Sequence, residues 1–460
     1  MKLKKVIALF LTGVMVLSLA ACGKTGKKAD APAGTKGETD TKNNDSGEPK
    51  KLEGKLVIWT LAEDLKTFAD KFMEENSGVK IETVVIAPAD YPTKLTAALR
   101  GKAKEPDIIV GEPQMLPDSF DAGFFEDLSQ EPYNAEQYKD SIVDYIYDAG
   151  KDSSGTVRAL SYQVTPGGVY YRRDIAQKIW GNDDPAFISE KFKDYNTITV
   201  TAKEIKDAGY RIFGDTGNLR WFANGGGAWV QDNKLVLSQS RLDYMDAAVK
   251  LYQDKLVAFS PEWSAAWYAS MSGTIPTNAE WAAAEDLEGL GGDKTEVFAY
   301  ALPSWGSLII RDNAGDNAGS FGVASGPCSF FGGGTFVGIS SYSQRKDLAW
   351  EFVKFTTLNE ETSKWWTDIS KGDIVSMKSV LESVKDVENE TYGNQKTYEY
   401  FLNEAQNINY SLITRFDTQI ENYWGAAITA VQTGEKTKEQ AIDEFYTNVQ
   451  SIYPELEITR

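Results

Sequence analysis

Lys55-Leu56-Val57-Ile58-Trp59 is the stretch whose reading decides the fold. Its apolar run suits a buried strand. Leu61, Leu65, Phe68 and Phe72 follow at spacings of 4, 3 and 4, which is one face of a helix. Gly78 stands where a C-terminal glycine would end that helix. Residues 81–86 are rich in β-formers and bounded by Pro88, Leu95 and Leu99 belong to a second helix, and Asp107-Ile108-Ile109-Val110 reads as a third buried strand. Strand, helix, strand, helix, strand is the pattern of a parallel sheet.

The later chain repeats this grammar. Gly168-Val169-Tyr170-Tyr171 reads as a strand, as do residues 298–302 and 336–339. Thr201 with Glu204 fits a capping box that would open a short helix ending near Gly209. Met245, Val249, Tyr252 and Leu256 form an apolar stripe, and Leu348, Phe352 and Phe355 form another. Trp424, Ile428 and Val431, then Ile442, Phe445, Val449 and Ile452, mark two helices near the C-terminus. No repeat of fixed period is present. The fold class is α/β, with too many elements for one sheet.

Composition narrows the function. The chain has 460 residues, 48 Lys+Arg against 67 Asp+Glu, two Cys and no His. Without His, no Ser-His-Asp or Cys-His nucleophile and no HExxH zinc site can be built. A net charge of −19 argues against a broad basic face for nucleic acid or anionic lipid. Cys328 has no disulfide partner in the body of the chain and reads as a small packed hydrophobe. The polar run at residues 312–319 lacks the spacing of a calcium loop and reads as a turn. No metal and no cofactor are expected.

The N-terminus reads as an address. Lys2, Lys4 and Lys5 precede a mostly apolar run over residues 6–21, shorter than the ~20 residues of a membrane span. Its end, Leu19-Ala20-Ala21-Cys22-Gly23, resembles a bacterial lipoprotein lipobox. That resemblance implies cleavage after Ala21 and a diacylglyceryl anchor on Cys22, and two acyl chains suffice for stable attachment. The signal carries three Lys and no acid, so −19 becomes −22 on the mature part. Residues 23–51 hold no aromatic or branched aliphatic residue, and are expected to stay disordered with a reach of roughly 30 Å.

A wider resemblance rests on an ordered series. Lys55-Leu56-Val57-Ile58-Trp59, the helix with Phe68 and Phe72, and Pro106-Asp107-Ile108-Ile109-Val110 resemble the N-terminal lobe of extracellular solute-binding proteins of ABC importers, sugar-binding (maltodextrin-binding-like) branch. Gly168-Val169-Tyr170-Tyr171-Arg172-Arg173-Asp174 is similar to the strand that enters the second lobe. Asn278-Ala279-Glu280-Trp281, the segment from Lys346 to Phe355, and Tyr423-Trp424-Gly425-Ala426-Ala427-Ile428 match further stations. One departure stands out: Gly372-Asp373-Ile374-Val375 lacks the Pro of the family's Gly-x-x-Pro segment. The resemblance implies a two-lobed periplasmic-binding-protein-like fold with a ligand cleft between the lobes. It implies residues 1–21 as signal peptide, 22–52 as lipidated Cys and tether, 53–161 plus 334–384 as lobe one, and 162–333 plus 385–460 as lobe two. It further implies a non-enzymatic monomer that captures a carbohydrate, closes on it, and docks on the transmembrane subunits of a permease. The protein would sit, lipid-anchored, on the outer face of the bacterial cytoplasmic membrane.

Candidate contacts follow from what sugars need: flat aromatic plates for C–H faces, carboxylates and amides for hydroxyls. Trp281 and Trp424 align with family aromatics that stack on ligand. Trp221 and Trp229 flank a glycine-rich turn, and Trp263 and Trp267 form an i, i+4 pair. Glu63, Asp64 and Glu112 follow strands at their carboxyl ends, where open α/β sheets bind ligands. Tyr162 and Gln163 stand at an inter-lobe crossing, and Gly332-Gly333-Gly334 marks another. Arg415 and Asp417 precede the last helical pair within reach of the cleft. Two alternatives stay open: a same-fold binder of a peptide, polyamine or polyol phosphate, and a glycoside hydrolase, which needs only two carboxylates.

Overall fold

The structure, a computed structural model, describes residues 51–87, 90–273, 275–276 and 294–459. The signal segment, Cys22 and the tether up to residue 50 lie outside the described residues, as do Pro88 and the Asn278–Trp281 station.

The opening stretch forms strand Glu53–Thr60, with Leu56 and Ile58 fully buried. Helix Asp64–Glu75 turns Leu65, Phe68 and Phe72 into the core, as its spacing requires. Gly78 has a different task from the expected one. The helix is already closed by Asn76, whose N–H donates to Phe72 O, and Gly78 begins strand Gly78–Val85. A Cβ there would lie 2.6 Å from Leu52 O, so the position serves close backbone approach.

The first sheet has five strands in the order Gly78–Val85, Glu53–Thr60, Ile108–Gly111, Phe336–Ile339, Ala159–Ser161. The first three are parallel. Phe336–Ile339 is antiparallel to both of its neighbours, so the sheet is mixed where the local pattern predicted a parallel one. Buried Asp107 anchors this return. Its carboxylate accepts Val57 N at 2.9 Å and the Ser343 hydroxyl at 2.5 Å, and pairs with Arg345 at 3.3 Å. Buried charge is tolerated where it is paired in this way.

A second, three-stranded antiparallel sheet has the order Ala299–Pro303, Gly167–Arg172, Phe321–Ala324. Alternate side chains of its strands go to two different cores. Tyr170, Tyr300 and Leu302 join the core of the first sheet. Val169, Tyr171, Ala299 and Ala301 join a core with Phe222, Trp229, Trp424 and Phe445. The expected helix near Thr201 begins earlier, as Tyr195–Asp207, capped by Asp194, whose side chain accepts Thr197 N. Thr201 is buried mid-helix and donates to Lys191 O at 3.0 Å. The capping box is instead at Thr437 and Gln440, opening helix Lys438–Ile452.

Three passages of chain link the two halves and pair with one another. Val164 N donates to Ile374 O at 2.8 Å, Ser376 N to Tyr162 O at 2.9 Å, and Gly332 N to Thr165 O at 3.2 Å. No helix among the described residues is long and apolar enough to cross a membrane.

Candidate functional site

A cavity of about 580 Å³ opens where these passages meet the strand ends. That volume lies in the ~300–1,000 Å³ range of small-molecule sites. Loops after the first sheet's parallel strands supply Asp64, Glu112 and Gln114, and the passages supply Gln163, Thr335 and Gly332 to Gly334. The other half supplies Trp221, Trp263, Trp305 and Phe330, with Arg220, Arg241, Asp417 and Glu421.

The aromatic wall is continuous. Ring centroids step 5.8 Å from Phe330 to Trp221, 6.3 Å to Trp305 and 5.6 Å to Trp263. Trp221 stands on helix Arg220–Gly225, and its indole lies where a Cβ on residue 332 would be, at 2.2 Å. Glycine at 332 is therefore what seats that ring. Trp305 Nε1 donates to Gly332 O at 3.0 Å. Trp221 Nε1 is buried without a hydrogen-bond partner among the described residues. Trp263 is 54 % exposed and has φ +70°, a backbone state an indole rarely adopts. Such strain concentrates at binding sites.

The polar groups are held by neighbours. Asp64 accepts the Tyr162 hydroxyl at 3.0 Å, and burial pushes its pKa up. Burial also raises Glu112, against the hydrogen bond from Gln114 Nε2. Gln163 Nε2 donates to Asp373 at 3.0 and 3.3 Å, while its Oε1 accepts the Thr335 hydroxyl at 3.1 Å. Across the cavity, Arg220 makes a two-pronged pair with Glu262 at 3.0 and 2.7 Å and lies 4.3 Å above the Trp221 ring. Burial, then the Glu262 charge, pushes neighbouring Asp215 up to about 6. Asp417 is pushed up to about 6 and Glu421 to about 7, by burial first in both. Burial lowers Arg241 to about 10. Apolar plates facing anchored hydrogen-bond groups suit a solute with apolar faces and polar edges.

Of the sequence candidates, Asp64, Glu112, Gln163, Trp221 and Trp263 come together on the lining, with Asp417. The others are placed elsewhere. Glu63 is exposed at the helix start and outside the lining. Tyr162 is buried behind Asp64, so it holds a lining carboxylate instead of forming the wall. Trp267 is fully buried beneath Trp263, at 5.4 Å between centroids. Trp229 and Trp424 are buried against each other at 6.1 Å and against Phe445, because both point into the second core. Arg415 is exposed and pairs with Glu455 at 3.4 Å. Trp281 lies outside the described residues. Cys328 is half-buried, and its thiol donates to Phe222 O at 3.1 Å. Trp305, Arg220, Arg241 and Glu421 were not singled out from the sequence. Trp305 follows strand Ala299–Pro303 directly, so the strand-end rule that marked Asp64 could have found it.

Comparison with known proteins fits this geometry. The profile of the family described as bacterial extracellular solute-binding protein matches residues 67–392. The crystal structure of an extracellular solute-binding protein family 1 member superposes with a TM-score of 0.69 at 20% identity, over 86% of this chain and 99% of that one. The ABC transporter associated binding protein of B. animalis subsp. lactis Bl-04, solved with β-1,6-galactobiose, gives 0.66 at 18% identity, over 89% and 100%. The GacH receptor of Streptomyces glaucescens, solved unliganded and with acarbose, gives 0.66 at 15%, over 88% and 99%. With most of its length matched by the family profile and this mixed α/β fold shared with solved solute-binding proteins, the chain belongs to the family of bacterial extracellular solute-binding proteins.

Proposed function

We propose that this protein captures a carbohydrate of more than one ring outside the cell and delivers it to the membrane subunits of an ABC importer. One observation carries the reading: the unbroken run Trp221, Trp305, Trp263 faces anchored carboxylates and amides across a single cavity. Pyranose C–H faces lie against the indoles, and ring hydroxyls donate to Asp64 and Glu112. The solved neighbours bound to galactobiose and acarbose support the same class of solute.

The work is binding without turnover. Lobe one is residues 53–161 plus 334–384 and lobe two is 162–333 plus 385–460. A solute touching both favours the closed arrangement, a population shift by hinge motion. The closed monomer docks on the permease. Cys22 carries the lipid that keeps the body at the membrane surface, and replacing it by Ala releases the protein into the medium.

Isothermal calorimetry against maltose, maltotriose and β-1,6-galactobiose tests the carbohydrate reading. Saturable heat without release of reducing ends supports it; silence toward every neutral sugar contradicts it. A second reading has its own observation. Asp64, Glu112, Asp417 and Glu421 all line the cavity, an excess of acids that would suit a polyamine. Spermidine in the same calorimeter separates the two.

A further inference from the structure

The three passages between the sheets converge on one buried carboxylate outside the cavity lining. Asp373 is 1 % exposed. Its Oδ1 accepts Ile374 N at 3.0 Å and Gln163 Nε2 at 3.3 Å. Its Oδ2 accepts Trp366 Nε1 at 2.7 Å and Gln163 Nε2 at 3.0 Å. Gln163 stands on a second passage and passes the contact on, since its Oε1 accepts the hydroxyl of Thr335 on the third. Gln163 and Thr335 face the cavity; Asp373 does not.

We propose that Asp373 is a positioning residue for solute binding: its ionised carboxylate fixes which way the Gln163 amide points, and protonating it weakens the cleft's hold on its solute. The geometry dictates the mechanism. All three partners of Asp373 are N–H donors, a shell that fits a carboxylate and leaves a carboxylic acid's proton without an acceptor. Of these three partners only Gln163 also carries an acceptor, its amide oxygen, which it presents by rotating the amide end for end. Gln163 Nε2 then faces Thr335, whose hydroxyl must turn to accept. The polarity of two lining groups is thereby reversed, while the volume they fill is unchanged. The swap moves one proton onto Asp373 and breaks no covalent bond.

Burial, then the nearby Asp64 charge, pushes Asp373 up to about 7, so the change falls within an ordinary extracellular pH range. The titratable groups facing Asp373 are Asp64 from helix Asp64–Glu75, Tyr162 from its own passage, and Tyr398 from helix Thr397–Ala405. Both phenols are held neutral by burial, above their ordinary range. Asp64 is therefore the neighbour whose negative charge opposes ionisation of Asp373. It is also a lining group, which couples the occupied cleft to the buried acid. Asp373 lies in the segment where the expected proline is missing.

This inference rests on the reading of the cavity as a solute cleft, and the test has a part that needs no solute. In protein labelled with ¹⁵N at Trp and Gln, the Trp366 indole and Gln163 amide resonances titrate together, with a midpoint near 7. In Asp373→Asn neither titrates. Trp366→Phe removes one donor from the carboxylate and moves the Gln163 midpoint upward. Affinity for maltotriose, measured from about pH 5.5 to about 8.5, falls about tenfold toward acid in the unaltered protein. Asp373→Asn starts from the acid-side value and rises toward base by less than the unaltered protein, keeping only the slope that the lining acids Asp417 and Glu421 contribute to both. Resonances that stay still, or that titrate while affinity stays flat, overturn the proposal; a merely structural Asp373 moves stability alone. If no sugar binds, the carbohydrate reading fails separately, spermidine serves as the solute, and silence toward both overturns the affinity claim.

Discussion

Two groups of tryptophans sit in the same half of the molecule and do opposite things. Trp221, Trp305 and Trp263 line the cavity, with Trp263 54 % exposed. Trp229 and Trp424 are 1 % and 3 % exposed, pressed together and against Phe445. Arg241 closes the second group, its guanidinium 3.7 Å above the Trp229 ring and its N–H groups on Gly227 O at 2.7 Å and Ala228 O at 3.4 Å. In the first group Gly332 seats Trp221 and accepts the Trp305 N–H, and the rings face the cavity; in the second Arg241 covers Trp229 and the rings are sealed in the core. An indole's role is thus set by what covers it and not by its residue type.

The sharpest way to break this contrast is Trp229→Ala. Emptying a sealed aromatic site costs about 3–5 kcal/mol, read by urea or thermal unfolding. Its affinity per folded molecule falls less than in Trp305→Ala, because the ring itself does not reach the cavity and acts there only through Arg241, which is seated on it. A variant that keeps full stability and loses binding would reverse the assignment of the two groups.

Trp305→Ala is the converse and has a smaller effect on the fold. It removes the middle plate of the wall, so sugar affinity falls about tenfold. The unfolding midpoint moves less than in Trp229→Ala. Equal affinity for the two variants would dissolve the distinction.

The smallest effect is one of pH. Asp215 and Asp417 are raised to about 6, and Asp373 and Glu421 to about 7. An acid whose folded pKa lies above its unfolded value holds its proton more tightly when folded. Its contribution to stability is therefore greatest on the acid side and declines as pH rises from about 4 to about 7. Thermal unfolding between about pH 5 and about pH 8 should show higher stability at the acid end, and Glu421→Gln and Asp373→Asn should each flatten that slope. A slope of the opposite sign would contradict the burial of these groups.

Much of the fold was legible because local periodicity and burial agree. The spacing of Leu65, Phe68 and Phe72 and the apolar runs at residues 56–59 and 108–110 became a helix and two paired strands, while Leu61 falls in the loop before the helix and lines the cavity. What failed depended on distant chain. Nothing near Phe336 says that Phe336–Ile339 enters the first sheet beside Ile108–Gly111, antiparallel. Thr201 with Glu204 matched a cap signature, but Asp194 wins because the helix extends back to bury Tyr195 and Ile198. For the site, strand-end logic found Asp64 and Glu112, whose place follows from the sheet. Trp221 and Trp229 flank the same glycines and could not be sorted locally, since Phe330 and Gly332 shape the setting of one and Arg241 and Phe445 cover the other.

The central claim is that this cleft holds a sugar between its indoles and its acids. The most direct test is a crystal structure of the protein purified without stripping bound solute, or soaked with the best sugar from calorimetry. The account predicts a pyranose ring against Trp305 and Trp221, with hydroxyls on Asp64, Glu112 or Gln163. Density for a linear amine among Asp64, Glu112, Asp417 and Glu421, or a sugar seated away from the indoles, would contradict it.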